Sequence, residues 1–123
     1  MIPITLHDQV MARAAEPGPT LSFAAGVPIT LEDLIRERVT LEWEDRADQA
    51  AAAGRPLVHY PYDAARHGLR TLEDAIALAL DGFHRNAFFV TVDDRQVTAL
   101  DAPITLTPAT MITFIRLVPL VSG

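Results

Sequence analysis

A chain of 123 residues, 50% hydrophobic and 21% charged, has the length and composition of one globular domain that buries its own core. It has no cysteine, which excludes disulfides, thiolate metal sites and thiol nucleophiles and fits a reducing cytoplasm. The net charge of −6 disfavours nucleic acid and anionic membrane as partners, since both reward clustered basic residues.

All ten basic residues are arginine. A genome-wide arginine bias explains this most simply, and it also suits a chain handled by lysine-modifying chemistry. No secretory n-region or cleavage pattern opens the sequence. The longest apolar run, Met111 to Val121, is interrupted by Arg116 and is too short for a bilayer. These features together predict a cytoplasmic protein.

Ile2 to His7 alternates apolar and polar residues, with Ile2, Ile4 and Leu6 on one face, and predicts a half-buried strand that Pro3 begins. Glu16-Pro17-Gly18-Pro19 has the composition of a turn, and Thr20 to Phe23 that of a second short strand with Leu21 and Phe23 inward. Thr30 and Asp33 form a capping-box pair at the start of a helix, flanked by the apolar staple Ile29 and Leu34. Leu31, Leu34, Ile35, Val39 and Trp43 follow as a helical stripe, with Trp43 as a core anchor. Glu42, Glu44, Asp45 and Asp48 are assigned to the solvent face of this helix. Its pattern fades through Ala47 to Ala53 and stops at Gly54-Arg55-Pro56.

Leu57 to Leu69 has no clean period and is read as an irregular loop within an insert spanning about 44–70. His59, Asp63 and His67 lie there. Their spacing is not the helical i, i+4 of a zinc motif and no further ligands accompany them, so they are read as surface residues and no metal or cofactor is expected. Thr71 and Asp74 repeat the cap signature, and Leu72, Ala75, Ile76, Ala79, Leu80 and Phe83 make the best helical stripe in the chain. Asn86 is a natural stop.

Ala87–Val92 and Arg95–Leu100 predict a hairpin turning at Asp93-Asp94, two residues expected to be solvated. A turn at Asp101-Ala102-Pro103, an extended Ile104-Thr105-Leu106 and a turn at Thr107 to Thr110 lead into Met111 to Val118. That last segment is apolar on both faces and predicts a central final strand. Met111 to Gly123 is the stretch around which the chain is organised: a buried strand ending in a proline-stiffened tail. No Ser-His-Asp context, P-loop or G-x-G-x-x-G is present, so the chain is not expected to be an enzyme. The prediction is a single domain over 1–123, of α+β class, with both helices on one face of a mixed sheet.

This order of elements is similar to the β-grasp, the fold of ubiquitin and the sulfur-carrier proteins. Val90 to Val97, Asp101 to Leu106 and Met111 to Gly123 resemble the C-terminal half of the molybdopterin synthase small subunit and of the thiamine-pathway sulfur carrier. The last stretch also resembles bacterial ubiquitin-like proteins ending F-x-x-L-V-P-L-x-G-G. Asp93 replaces the usual Asn, Thr107 to Thr110 the usual Gly-Asp turn, and Ser122-Gly123 the Gly-Gly end.

The resemblance implies a modifier whose Gly123 carboxylate is activated by an E1-like adenylating enzyme, with ATP bound by that partner, and is joined to a target protein. A sulfur carrier ending in a thiocarboxylate and a non-covalent interaction module are the alternatives. Pro119, Leu120, Val121, Ser122 and Gly123 would form the activation tail, and Arg116, Leu117 and Val118 the docking segment. Glycine suits such a tail because it lets the backbone enter a narrow site, and Pro119 pre-extends the segment before it. Given the acidic charge, electrophoretic mobility-shift assays at micromolar protein should detect no salt-sensitive complex with DNA or RNA.

Overall fold

The computed structural model describes residues 1–24, 26–51 and 71–116, with side chains of the first helix described as far as Glu44. In chain order the elements are β1 (Ile2–Val10), β2 (Glu16–Phe23), β3 (Ile29–Thr30), α1 (Leu31–Ala51), α2 (Leu72–His84), β4 (Phe88–Val92), β5 (Arg95–Val97), β6 (Pro103–Ile104) and β7 (Ile112–Arg116). Five strands form a mixed sheet in the order β2-β1-β7-β4-β5, while β3 and β6 pair separately. β7 is central, parallel to β1 and antiparallel to β4.

The alternation in β1 buries Ile2, Ile4 and Leu6 on the side of the sheet that also receives Leu21, Phe23, Phe88, Val90, Ile112 and Phe114. Leu31, Leu34, Ile35 and Val39 of α1 and Ala75, Ile76, Ala79 and Phe83 of α2 complete the same apolar cluster. Both helices therefore cover one face, and the chain is a two-layer α+β structure. Trp43, Leu72, Leu80 and Val92 are only half-buried and pack on the margin of this core.

Local chemistry marks the element ends. Thr30 Oγ1 accepts from the Asp33 amide at 3.1 Å while an Asp33 carboxylate oxygen accepts from the Thr30 amide at 3.1 Å, and Thr71 and Asp74 make the same reciprocal pair. α2 ends with Asn86 at φ 60, its amide donating to the Phe83 carbonyl and the Ala87 amide to the Gly82 carbonyl. That is a Schellman closure with asparagine in the left-handed position. Asp93 and Asp94 have φ of 49 and 66, as a two-residue type I′ hairpin requires.

Three local expectations are corrected. Glu16 to Pro19 is not a turn but the start of β2. The chain reverses earlier, at Ala12 (φ 70), where the Arg13 amide donates to the Val10 carbonyl at 2.9 Å. β2 is an edge strand, so prolines 17 and 19 need not supply ladder donors on its outer side. β5 stops at Val97 rather than Leu100, because a turn closed by the Ala102 amide on the Ala99 carbonyl follows it. Glu42 lies inside the helix–sheet interface rather than on the solvent face of α1, at 5% exposure.

Phe114 is fully buried, stacked on Phe88 at 6.0 Å between ring centroids, and Phe88 meets Phe83 at 5.9 Å. Truncating Phe114 to Ala is expected to lower the unfolding free energy by about 3–5 kcal/mol, read from urea denaturation.

Candidate functional site

The residues expected from the sequence to form the activation tail and its docking segment follow β7 in the chain. Leu117, Val118, Pro119, Leu120, Val121, Ser122 and Gly123 lie outside the described residues, as do His59, Asp63 and His67 of the insert. What the structure describes is β7 itself and the strands that flank it. β7 is held on both edges, by β1 along Leu6↔Ile112 to Val10↔Arg116 and by β4 along Val92↔Ile112 to Phe88↔Arg116. The last of these residues, Arg116, accepts the Met11 amide on its carbonyl at 3.0 Å. Its side chain is half-buried on the helix side of the sheet, and its Nε is buried with no hydrogen-bond partner among the described residues.

At the start of the same strand, Asp93 does more than turn the β4–β5 hairpin. Its carboxylate accepts the Met111 amide at 2.9 Å and its own amide donates to the Met111 carbonyl at 2.8 Å. The hairpin tip is thereby tied to the entrance of β7, although Asp93 itself is exposed.

A charged network lies under the middle of β7. Arg38, 2% exposed, projects from α1 against the sheet. Nη1 and Nη2 donate to the two carboxylate oxygens of Asp8 on β1, the second at 2.7 Å, and Nε donates to Glu42 Oε1 at 3.0 Å. The guanidinium carbon stands 4.6 Å from the centroid of the Phe114 ring, within cation–π range. One side chain therefore holds β1, β7 and the next turn of its own helix. Burial alone would lower the Arg38 pKa, but the hydrogen bond to Asp8 and the charges of Glu42 and Asp8 outweigh it and raise it.

With a raised folded pKa, the contribution of Arg38 to stability is fully present below its unfolded value and is lost only in strong alkali. The group holds its proton throughout the ordinary pH range. It acts as a tie and not as an acid or base.

Space for this tie is made by a bulge. Between Thr5↔Thr20 and His7↔Pro17 the register shifts, so that Gly18 and Pro19 oppose Leu6 alone. A Cβ on Gly18 would stand 2.8 Å from Asp8 Oδ2 and 3.1 Å from the Leu6 carbonyl. Sequence reasoning missed the network because it ended the first strand at His7. Carrying the inward alternation of Ile2, Ile4 and Leu6 one step further brings a half-buried carboxylate, Asp8, to the helix side of the sheet, and Arg38 and Glu42 stand at i, i+4 on α1.

No group of three or more His, Asp or Glu among the described residues is arranged to hold a metal ion. No helix among them is long and apolar enough to cross a membrane.

Replacing Arg38 by Met is expected to cost about 3–5 kcal/mol, because the buried Glu42 carboxylate and the half-buried Asp8 carboxylate lose their cation. Gly18→Ala should cost less, about 1–3 kcal/mol, by pushing the Asp8 carboxylate off Arg38. In a double-mutant cycle followed by urea denaturation, the Gly18→Ala cost should shrink in the Arg38→Met background; fully additive costs would mean that the glycine serves something other than the ion pair. No protein-family model, curated protein or solved structure matches this chain.

Proposed function

We propose that the protein is a β-grasp, ubiquitin-like modifier, joined to a target amine through the carboxylate of Gly123 after adenylation by a partner enzyme. The observation that carries this reading is the strand order β2-β1-β7-β4-β5, with the first and last strands parallel at the centre of the sheet and the helices on one face. In such an arrangement the final strand is clamped on both sides. The residues after it are then presented from a rigid base, which is what a segment entering another protein's active site needs. The absence of lysine agrees with the modifier, since the chain offers no side-chain amine as a target for its own conjugation.

Adenylation forms a mixed anhydride between the Gly123 carboxylate and AMP and releases pyrophosphate. Attack by a target amine then forms an amide and releases AMP. Both steps need the carboxylate to reach a closed site without a side chain in the way, and the Pro119 to Gly123 tail has the composition for that approach. Arg116, Leu117 and Val118 would dock on the activating enzyme.

The test is intact-mass analysis of the chain ending on Gly123 after incubation with ATP in extract of its own host. A target-sized adduct is expected, and deleting Gly123 should abolish it while leaving the thermal midpoint nearly unchanged. Exchange of one oxygen for sulfur would make the protein a sulfur carrier instead. Equal partner binding by wild type and deletion, with no adduct under any condition, would make it a non-covalent interaction module.

A further inference from the structure

The face of the sheet away from the helices has an unusual charge pattern. The charged strand residues Asp8, Glu16, Arg95 and Arg116 all have the parity of the helix-facing positions. Among the described residues, no Asp, Glu or Arg falls on the strand positions of the opposite face. The centre of that face is His7 and Gln9 of β1, Thr113 and Ile115 of β7, and Phe89 and Thr91 of β4, all partly exposed. Among the described strand residues, those around them on this face are Thr, Ser, Gln and Pro. Two threonines, Thr5 and Thr20, already bond to each other through their hydroxyls at 3.0 Å.

Solvated sheet faces ordinarily carry charge, which keeps them soluble and apart from other sheets. A face depleted of charge, with an apolar pair at its middle (Phe89 opposite Ile115) and neutral polar groups around it, has the composition of an interface core and rim.

We infer that this face packs against the same face of a second copy of the chain, in a two-fold symmetric dimer. Two features favour a second copy over an unlike partner. Hydroxyl and amide groups both donate and accept, so a surface built from them is complementary to itself, whereas a carboxylate or guanidinium surface is not. The chain carries −6 in total, so most approaches of one copy to another are repulsive. On this face no formal charges of like sign meet. The inference does not depend on the proposed function.

Five strands spaced about 4.8 Å apart, with about six residues each, span roughly 24 by 20 Å, or on the order of 500 Å² per copy. Doubling this gives about 1,000 Å², the lower end for a specific contact. The dimer is therefore weak and concentration-dependent, with dissociation in the micromolar range or above.

Sedimentation equilibrium of the full chain from about 1 µM to 1 mM tests this. The mass should rise from 13.4 kDa towards twice that value. Association should strengthen several-fold with added salt, because screening removes repulsion between the acidic outer surfaces. Thr113→Glu, at the centre of the face, should weaken it at least tenfold. Gln96→Glu, exposed near its edge, should act in the same direction with less risk to folding, and Glu37→Arg on α1 should not weaken it. A monomer at all concentrations, association that weakens with salt, or full association by a normally folded Thr113→Glu variant would overturn the inference. So would a chain that stays monomeric and gains hydrogen-exchange protection at Phe89 and Ile115 only on addition of a different protein.

Discussion

The fold depends on the parallel pairing of β1 with β7. These strands come from opposite ends of the described chain, and neither can complete its ladder until nearly everything between them has been laid down. Local elements can form early: two boxed helix starts, a Schellman stop and a type I′ hairpin all draw on contacts a few residues apart. The β1–β7 ladder cannot. Loop-closure entropy falls on this step, and non-local pairing of this kind slows folding. The β1–β2 and β4–β5 hairpins are thus two prefabricated halves, and β7 is the seam that joins them.

Arg38 fastens that seam from the helix layer. It grips β1 through Asp8 and lies against β7 through the Phe114 ring, so it is satisfied only when both strands are in place. Replacing Arg38, Asp8 and Glu42 together by apolar side chains of similar volume would be no worse for raw stability, since burying a guanidinium beside carboxylates sacrifices hydration that their attraction only partly returns. What an apolar residue cannot do is discriminate between registers. Sliding β1 by one residue sends Asp8 to the opposite face, and sliding it by two offers Arg38 only Leu6 or Val10. Either slip leaves a buried cation without its bidentate partner. The bulge at Gly18 belongs to the same device, because a continuous β2 with a Cβ there would occupy the place of the Asp8 carboxylate.

Much of the fold was legible because its signals are local. Thr30 with Asp33, Thr71 with Asp74, Asn86 and the Asp93-Asp94 pair each report a backbone geometry that their own side chains enforce, and each occurs where the sequence indicates. Pro17-Gly18-Pro19 misled because the same residues serve a turn and an edge strand with a bulge. Only the position of β2 at the sheet edge separates the two, and that is a tertiary fact. Glu42 misled for a related reason: an acidic residue in mid-helix is ordinarily solvated, and its burial follows from Arg38 one turn earlier. Of the candidate site, the central placement of β7 could be read from its two apolar faces. The activation tail rests on composition and resemblance alone, and its residues lie outside the described ones.

β7 supplies both layers of the molecule's chemistry by simple alternation. Ile112, Phe114 and Arg116 turn toward the helices, where packing and the Arg38 tie determine whether the chain folds. Thr113 and Ile115 turn to the opposite face, where neither α1 nor α2 covers them and both are partly exposed. A strand of this kind lets association evolve on one face while the other keeps the fold, since period-two geometry separates the two sets of side chains completely. The backbone of β7 cannot be divided in this way. Its hydrogen bonds to β1 and β4 serve both faces, and they also anchor the point at which the chain continues past Arg116. A change that loosens Arg38 therefore reaches both faces of β7 together, whereas a change at Thr113 reaches one face alone.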